Sequence, residues 1–103
     1  MSDVNRSSRL EIGLRNLLLA LYRAVDAEGE GARGKLELLK DAIVMILEAQ
    51  ASGNDATNEP ARDMSPATQA AFHDVRNHIK DNLDWFNLHS IEATRVIETL
   101  FLL

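Results

Sequence analysis

SPATQAAFHDVRNHIKDNLDWFNLHSIEATRVIETLFLL, residues 65–103, is the stretch on which the fold turns. After Ser65-Pro66 it contains neither another proline nor a glycine. Ser65 is a good N-cap, because its hydroxyl accepts from the free amides of a first turn. Pro66 at the first helical position loses no hydrogen bond and presets φ. One uninterrupted helix over 66–102 would be about 55 Å long at 1.5 Å per residue. Such a helix is long for a small domain, so the remaining segments are expected to pack along it. Phe72, Val75, Ile79, Leu83, Phe86, Ala93, Ile97 and Leu100 give it one apolar side.

The whole chain has 103 residues, enough for one domain with a modest core. Apolar residues make up 46% and aromatics only 5%, so the core must be built mainly from Leu, Ile, Val and Ala. With few prolines and no β-rich runs, the composition reads as all-α. A net charge of −5 disfavours nucleic acid or an anionic membrane as partner. The absence of cysteine removes disulfides, thiolate metal sites and a cysteine nucleophile. The polar start is unlike a signal peptide, and the longest apolar runs, Leu17–Tyr22 and Ala42–Leu47, are far short of a membrane span. A cytoplasmic protein is the expectation.

Outward from the long helix, residues 1–7 read as a frayed tail. Ser8-Arg9-Leu10-Glu11 has capping-box spacing and predicts a first helix over about 9–28. Its stripe is Leu10, Leu14, Leu17, Leu18, Leu21 and Val25. Gly29-Glu30-Gly31-Ala32-Arg33-Gly34-Lys35 matches G-x-G-x-x-G and G-x-x-x-x-G-K, the phosphate-cradling patterns. Here a helix precedes the glycines, no buried strand is in sight, and Leu36 stands where magnesium chemistry needs Ser or Thr. The stretch therefore reads as a turn between helices. A second helix is expected over about 35–51, with Leu36, Leu39, Ile43, Ile46 and Leu47 as its stripe. Residues 52–64 read as a polar loop. The architecture expected is a single domain, a three-helix up-down-up bundle or a helical hairpin with a long C-terminal helix, completed by dimerisation.

Beyond residue 82 apolar residues appear off the core stripe: Trp85, Leu88, Ile91, Val96 and Phe101, with Leu100 beside them. Two shorter helices do not cover the far end of a long one on every side, and an uncovered apolar patch usually marks a contact surface. These six residues are the candidate partner-binding set, and the occupant is another protein or a second copy of the chain, a homodimer. The same physics allows a third outcome, a self-associating structural bundle.

For chemistry, His73 and His78 are about 140° apart on a helix and share no face, and neither a metal site nor a cofactor site is expected. Phe72-His73-Asp74-Val75-Arg76-Asn77 resembles the phosphoacceptor box of two-component histidine kinases. That resemblance implies a phosphoacceptor at His73, an acid–base neighbour in Asp74 and an orienting amide in Asn77. No ATP-binding domain accompanies the box, and no His-x-x-Lys-Gly pattern is present. The leading expectation is a non-enzymatic protein.

A longer resemblance runs along the last helix. Val75-Arg76, Asn82, Trp85-Phe86, Leu88-His89 and Glu92-Ala93 are similar to the C-terminal helix of short bacterial flagellar export chaperones (FlgN-like). A Leu-rich first helix ending near Glu28, and Lys40 in Leu39-Lys40-Asp41-Ala42, are similar in kind. The resemblance implies a small acidic helical chaperone that docks an amphipathic helix of its partner on its own C-terminal helix.

Overall fold

The computed structural model describes residues 2–29, 31–51 and 64–101, and among them every regular element is helical. The helices are α1 (Ser2–Asp26), α2 (Ala32–Ala51), α3 (Pro66–Asp81), α4 (Leu83–Leu88) and α5 (Ser90–Phe101). The all-α reading of the sequence holds. The predicted loop 52–64 lies outside the described residues except for Met64, which is buried in the core.

Glycine makes the first corner. Gly29 and Gly31 have φ of +81° and +77°, a region that side chains with a Cβ rarely enter. The phosphate-loop pattern is thus a helix–helix turn. Gly34 and Lys35 already lie within α2, which begins three residues earlier than expected. Ser65 caps α3 as its sequence implies, its Oγ accepting from the Thr68 amide at 3.2 Å, with Pro66 at the first position.

Two expectations need correction. The first helix starts at Ser2, so Ser8 lies inside α1 and caps nothing. Tertiary contacts hold those early turns: Arg6 donates to both carboxylate oxygens of Asp84 at 2.9 and 2.7 Å, and Ser7 Oγ accepts from the Trp85 indole at 2.8 Å.

The predicted 66–102 helix is divided at Asn82 and at His89. Asn82 has φ −132° and ψ 39°, and its Nδ2 donates to the His78 carbonyl at 2.9 Å. His89 has φ −119° and ψ 30°, and its Nδ1 lies 3.0 Å from the Trp85 carbonyl. A carbonyl only accepts, so the ring nitrogen donates there. The Asn82 side chain satisfies the carbonyl that its own amide would bond in a continuing helix, that amide having moved to the Ile79 carbonyl. The His89 ring instead adds a second donor to a carbonyl that the His89 amide still bonds.

The turns matter because they fold α5 back. His78 of α3 meets Leu10 and Thr68 of α3 meets Glu28, so α3 runs antiparallel to α1. Glu92 lies by Ser7 and Phe101 by Tyr22, so α5 runs parallel to α1. The result is a four-cornered bundle. α1 packs mainly against α3 and α5, α2 has α5 as its main neighbour, and α1 and α2 stand at opposite corners. Its extents are 45 × 26 × 21 Å. The interior is aliphatic: Leu14, Leu18, Leu21 and Val25 from α1, Leu39 and Ile43 from α2, with Phe72, Val75, Ile79, Phe86 and Ile97 closing it. Each fully buried side chain of this size contributes about 1.5–3 kcal/mol. The apolar positions read from the sequence are largely the ones buried; what differs is that the last third of the chain supplies its own cover.

Candidate functional site

Because α5 folds back, the six candidate partner-binding residues part company. Trp85 goes inside. It is 8% exposed, donates its indole N–H to Ser7, stacks on His89 at 4.4 Å with rings nearly parallel, and meets Phe86 edge-on at 5.0 Å. Its large apolar area is already used within the chain, so the expectation of Trp85 as a surface anchor is corrected.

Leu88 and Ile91 stay outside, at 81% and 71% exposed. Leu88 is the last residue of α4 and Ile91 lies in the first turn of α5, so the His89 joint presents them together at one corner of the bundle. Ile91 forms one wall of a groove of about 410 Å³ between α2 and α5, whose lining includes Leu47, Glu48, Thr94, Arg95 and Glu98. That groove is amphipathic: Leu47 and Ile91 supply apolar surface, Glu48, Glu98 and Arg95 the charge.

Val96 and Leu100 take a different side of α5. Both are partly buried against the core and line a groove of about 280 Å³ between α1 and α5, with Glu11, Arg15, Glu92 and Arg95 around it. This groove adjoins a smaller cavity of about 140 Å³, bounded by Trp85, His89, Ser7 and Leu14. Phe101 is at the opposite end of α5, packed near Tyr22 and Leu36. The structure therefore brings Leu88 and Ile91 together, and Val96 and Leu100 together. It joins neither pair to Phe101.

His73, Asp74 and Asn77 follow one another on α3. His73 is half-buried with its ring edge-on to Phe72, the centroids 6.1 Å apart, while Asp74 and Asn77 are exposed. His78 has a structural place instead. Its Nε2 donates to the Leu10 carbonyl at 3.0 Å and its ring meets Phe86 edge-on at 5.5 Å. Gly13 makes room for that ring: a Cβ at residue 13 would lie 2.9 Å from His78 Cε1.

A polar node that sequence reading did not find joins three segments. Glu28, just past α1, accepts from Lys35 Nζ at 3.0 Å, from the Ser65 amide at 3.2 Å and from the Thr68 hydroxyl. The Thr68 hydroxyl bond first, then Lys35, holds the Glu28 carboxyl below the usual carboxylate range. Thr68 itself is fully buried, and this carboxylate satisfies its hydroxyl. Asp84 is lowered in the same sense by the Arg6 guanidinium, then by the Trp85 amide. Lone polar residues such as these carry no periodic signal. Glu28 is 37 residues from Ser65, and only the folded chain puts them together.

Among the described residues no group of three or more His, Asp or Glu is placed to hold a metal ion. No helix among them is long and apolar enough to cross a membrane. No family model, no curated protein and no solved structure matches the chain.

Proposed function

We propose that this chain is a non-enzymatic protein-binding module, and that it binds an amphipathic helix of a partner at the α4–α5 corner. The observation that carries the reading is the pair Leu88 and Ile91, two large aliphatic side chains left in water three residues apart where α4 meets α5, with Ile91 lining the α2/α5 groove. Other apolar residues of the last third of the chain, Trp85, Phe86, Ala93 and Ile97, found cover in the bundle. Exposing two adjacent aliphatics costs solubility, and partner burial removes that cost. A helix laid in the groove would set its apolar side on Leu47 and Ile91 and its polar edges against Glu48, Arg95 and Glu98, and one extending past the start of α5 would cover Leu88. Of the six residues that the sequence offered, Leu88 and Ile91 carry the contact. Val96 and Leu100 line a separate groove, and Trp85 acts from within by fixing the joint that displays the corner.

An export chaperone for flagellar components, the role implied by the resemblance of the last helix, is one specific form of this function. A second copy of the chain seated on the same corner is the other occupant that fits. Capture from a lysate of the source cells, wild type beside the double variant Leu88→Asp/Ile91→Asp, tests the reading. The expected result is a discrete bound protein that the double variant loses while its helicity is unchanged. Equal capture by both proteins would falsify the assignment of this corner.

A further inference from the structure

Two more apolar pairs remain in water, one on each of the helices at opposite corners. On α1 they are Ile12 and Leu19; on α2 they are Leu38 and Met45. In each case the two residues are seven apart, so they stand on one face two turns, about 10.5 Å, from each other. The faces match in spacing and oppose in charge. Around Ile12 and Leu19 stand Arg9, Arg15 and Arg23, all exposed and within about 60° of Ile12 at 100° per residue. Around Leu38 and Met45 stand Glu37, Asp41 and Glu48, also exposed and within about 90° of the line joining the apolar pair. Asp26, at the end of α1, and Lys35, bound to Glu28, are the opposing charges nearest each face. Arg15 pairs with Glu11 at 3.1 Å across one turn, an exposed contact that competes only weakly.

We infer that copies of this chain assemble head to tail, with the basic face of α1 in one copy seated on the acidic face of α2 in the next. An antiparallel pairing fits best, since it also opposes the helix dipoles. Ile12 then meets Met45 and Leu19 meets Leu38. The same register puts Arg9 beside Glu48, Arg15 beside Asp41 and Arg23 within a turn of Glu37. The two faces point away from one another across the bundle, because α1 and α2 occupy opposite corners and each turns its core stripe inward. A contact between unlike faces on opposite sides of a molecule does not close a dimer. It leaves a free α1 face at one end and a free α2 face at the other, and so extends. Leu88 and Ile91 take no part in this assembly, and Glu48 is the residue it shares with the partner groove. Leu88→Asp/Ile91→Asp, which leaves Glu48 in place, therefore separates the two.

The test is charge exchange followed by sedimentation velocity over a concentration series. One variant carries Arg9→Glu, Arg15→Glu and Arg23→Glu; the other carries Glu37→Arg, Asp41→Arg and Glu48→Arg. Wild type is expected to pass through dimer to larger species as concentration rises, and to retreat in 1 M salt, where the screening length is about 3 Å. Each variant alone presents two like-charged faces and is expected to need at least about tenfold more protein to associate. An equimolar mixture of the two restores complementary faces and is expected to recover assembly. Circular dichroism on each variant establishes that it is folded. A wild-type chain that stays monomeric throughout, one that stops at a closed dimer, or a mixture of folded variants that fails to recover, each overturns the inference.

Discussion

Gly13 shows how one residue sets the approach of two helices. In an exposed helix interior, alanine in place of glycine gains about 1 kcal/mol. Here the new methyl meets the His78 ring, which is pinned by its bond to the Leu10 carbonyl and by the edge of Phe86. Gly13→Ala is therefore expected to destabilise the chain by about 1–2 kcal/mol, the cost of overpacking outweighing the helical gain. Urea unfolding measures this, and the sign should reverse when His78 is first changed to alanine. A stabilised Gly13→Ala in the wild-type background would show the ring to be free to move aside. The sequence displayed Gly13 as a lone glycine in a leucine-rich helix. Its partner is 65 residues away on another helix, and no local pattern connects them. The same limit applies to Trp85: its size and position beyond the core stripe were legible, but the hydroxyl of Ser7 and the ring of His89 that hold it inside were not.

At the scale of elements, periodicity and capping located what is regular and missed what is side-chain specific. Ser65-Pro66 marked the start of α3 because the cap is local to three residues. The Ser8 box failed because a helix end set by docking, Arg6 on Asp84 and Ser7 on Trp85, overrides a local preference. Asn82 takes over a carbonyl that the helix would have used, and His89 marks the second joint with its ring on the Trp85 carbonyl; a single Asn or His in a long apolar pattern does not by itself mark a helix end. The segment between helices carries a titratable tie. Glu28 has a folded pKa below its ordinary value of 4.5, so it binds protons less readily in the folded chain than in the unfolded one. Its contribution to stability is full above that ordinary value and is lost as the pH falls through the lowered one. Glu28→Gln is expected to be less stable at neutral pH and to lose less of its stability between about pH 5 and pH 3. Asp84 shifts in the same direction, so the variant keeps part of the acid sensitivity. Denaturant midpoints measured across that range give the comparison, and parallel curves for the two proteins would exclude Glu28 as a contributor.

On the scale of the molecule, the all-α class and most of the interior were readable, since burial follows the apolar stripes. The arrangement was not, because the order of the corners depends on where α5 returns, and that depends on two joints. The return also redefines the site, moving Trp85 inward and leaving Leu88 and Ile91 in water. Those two make no core contact of consequence, so Leu88→Asp/Ile91→Asp should unfold within about 0.5 kcal/mol of wild type while losing its partner. A large loss of stability would mean that the corner belongs to the fold and not to binding. The seam where Trp85 reaches Ser7 has one more consequence. It is the sole tryptophan, and it reports from the place where the earliest turns of the chain meet the last third. Its emission colour thus serves as a built-in optical gauge: blue while the N-terminal turns are seated, red once they lift, with no dye, provided the light is of too long a wavelength to excite Tyr22.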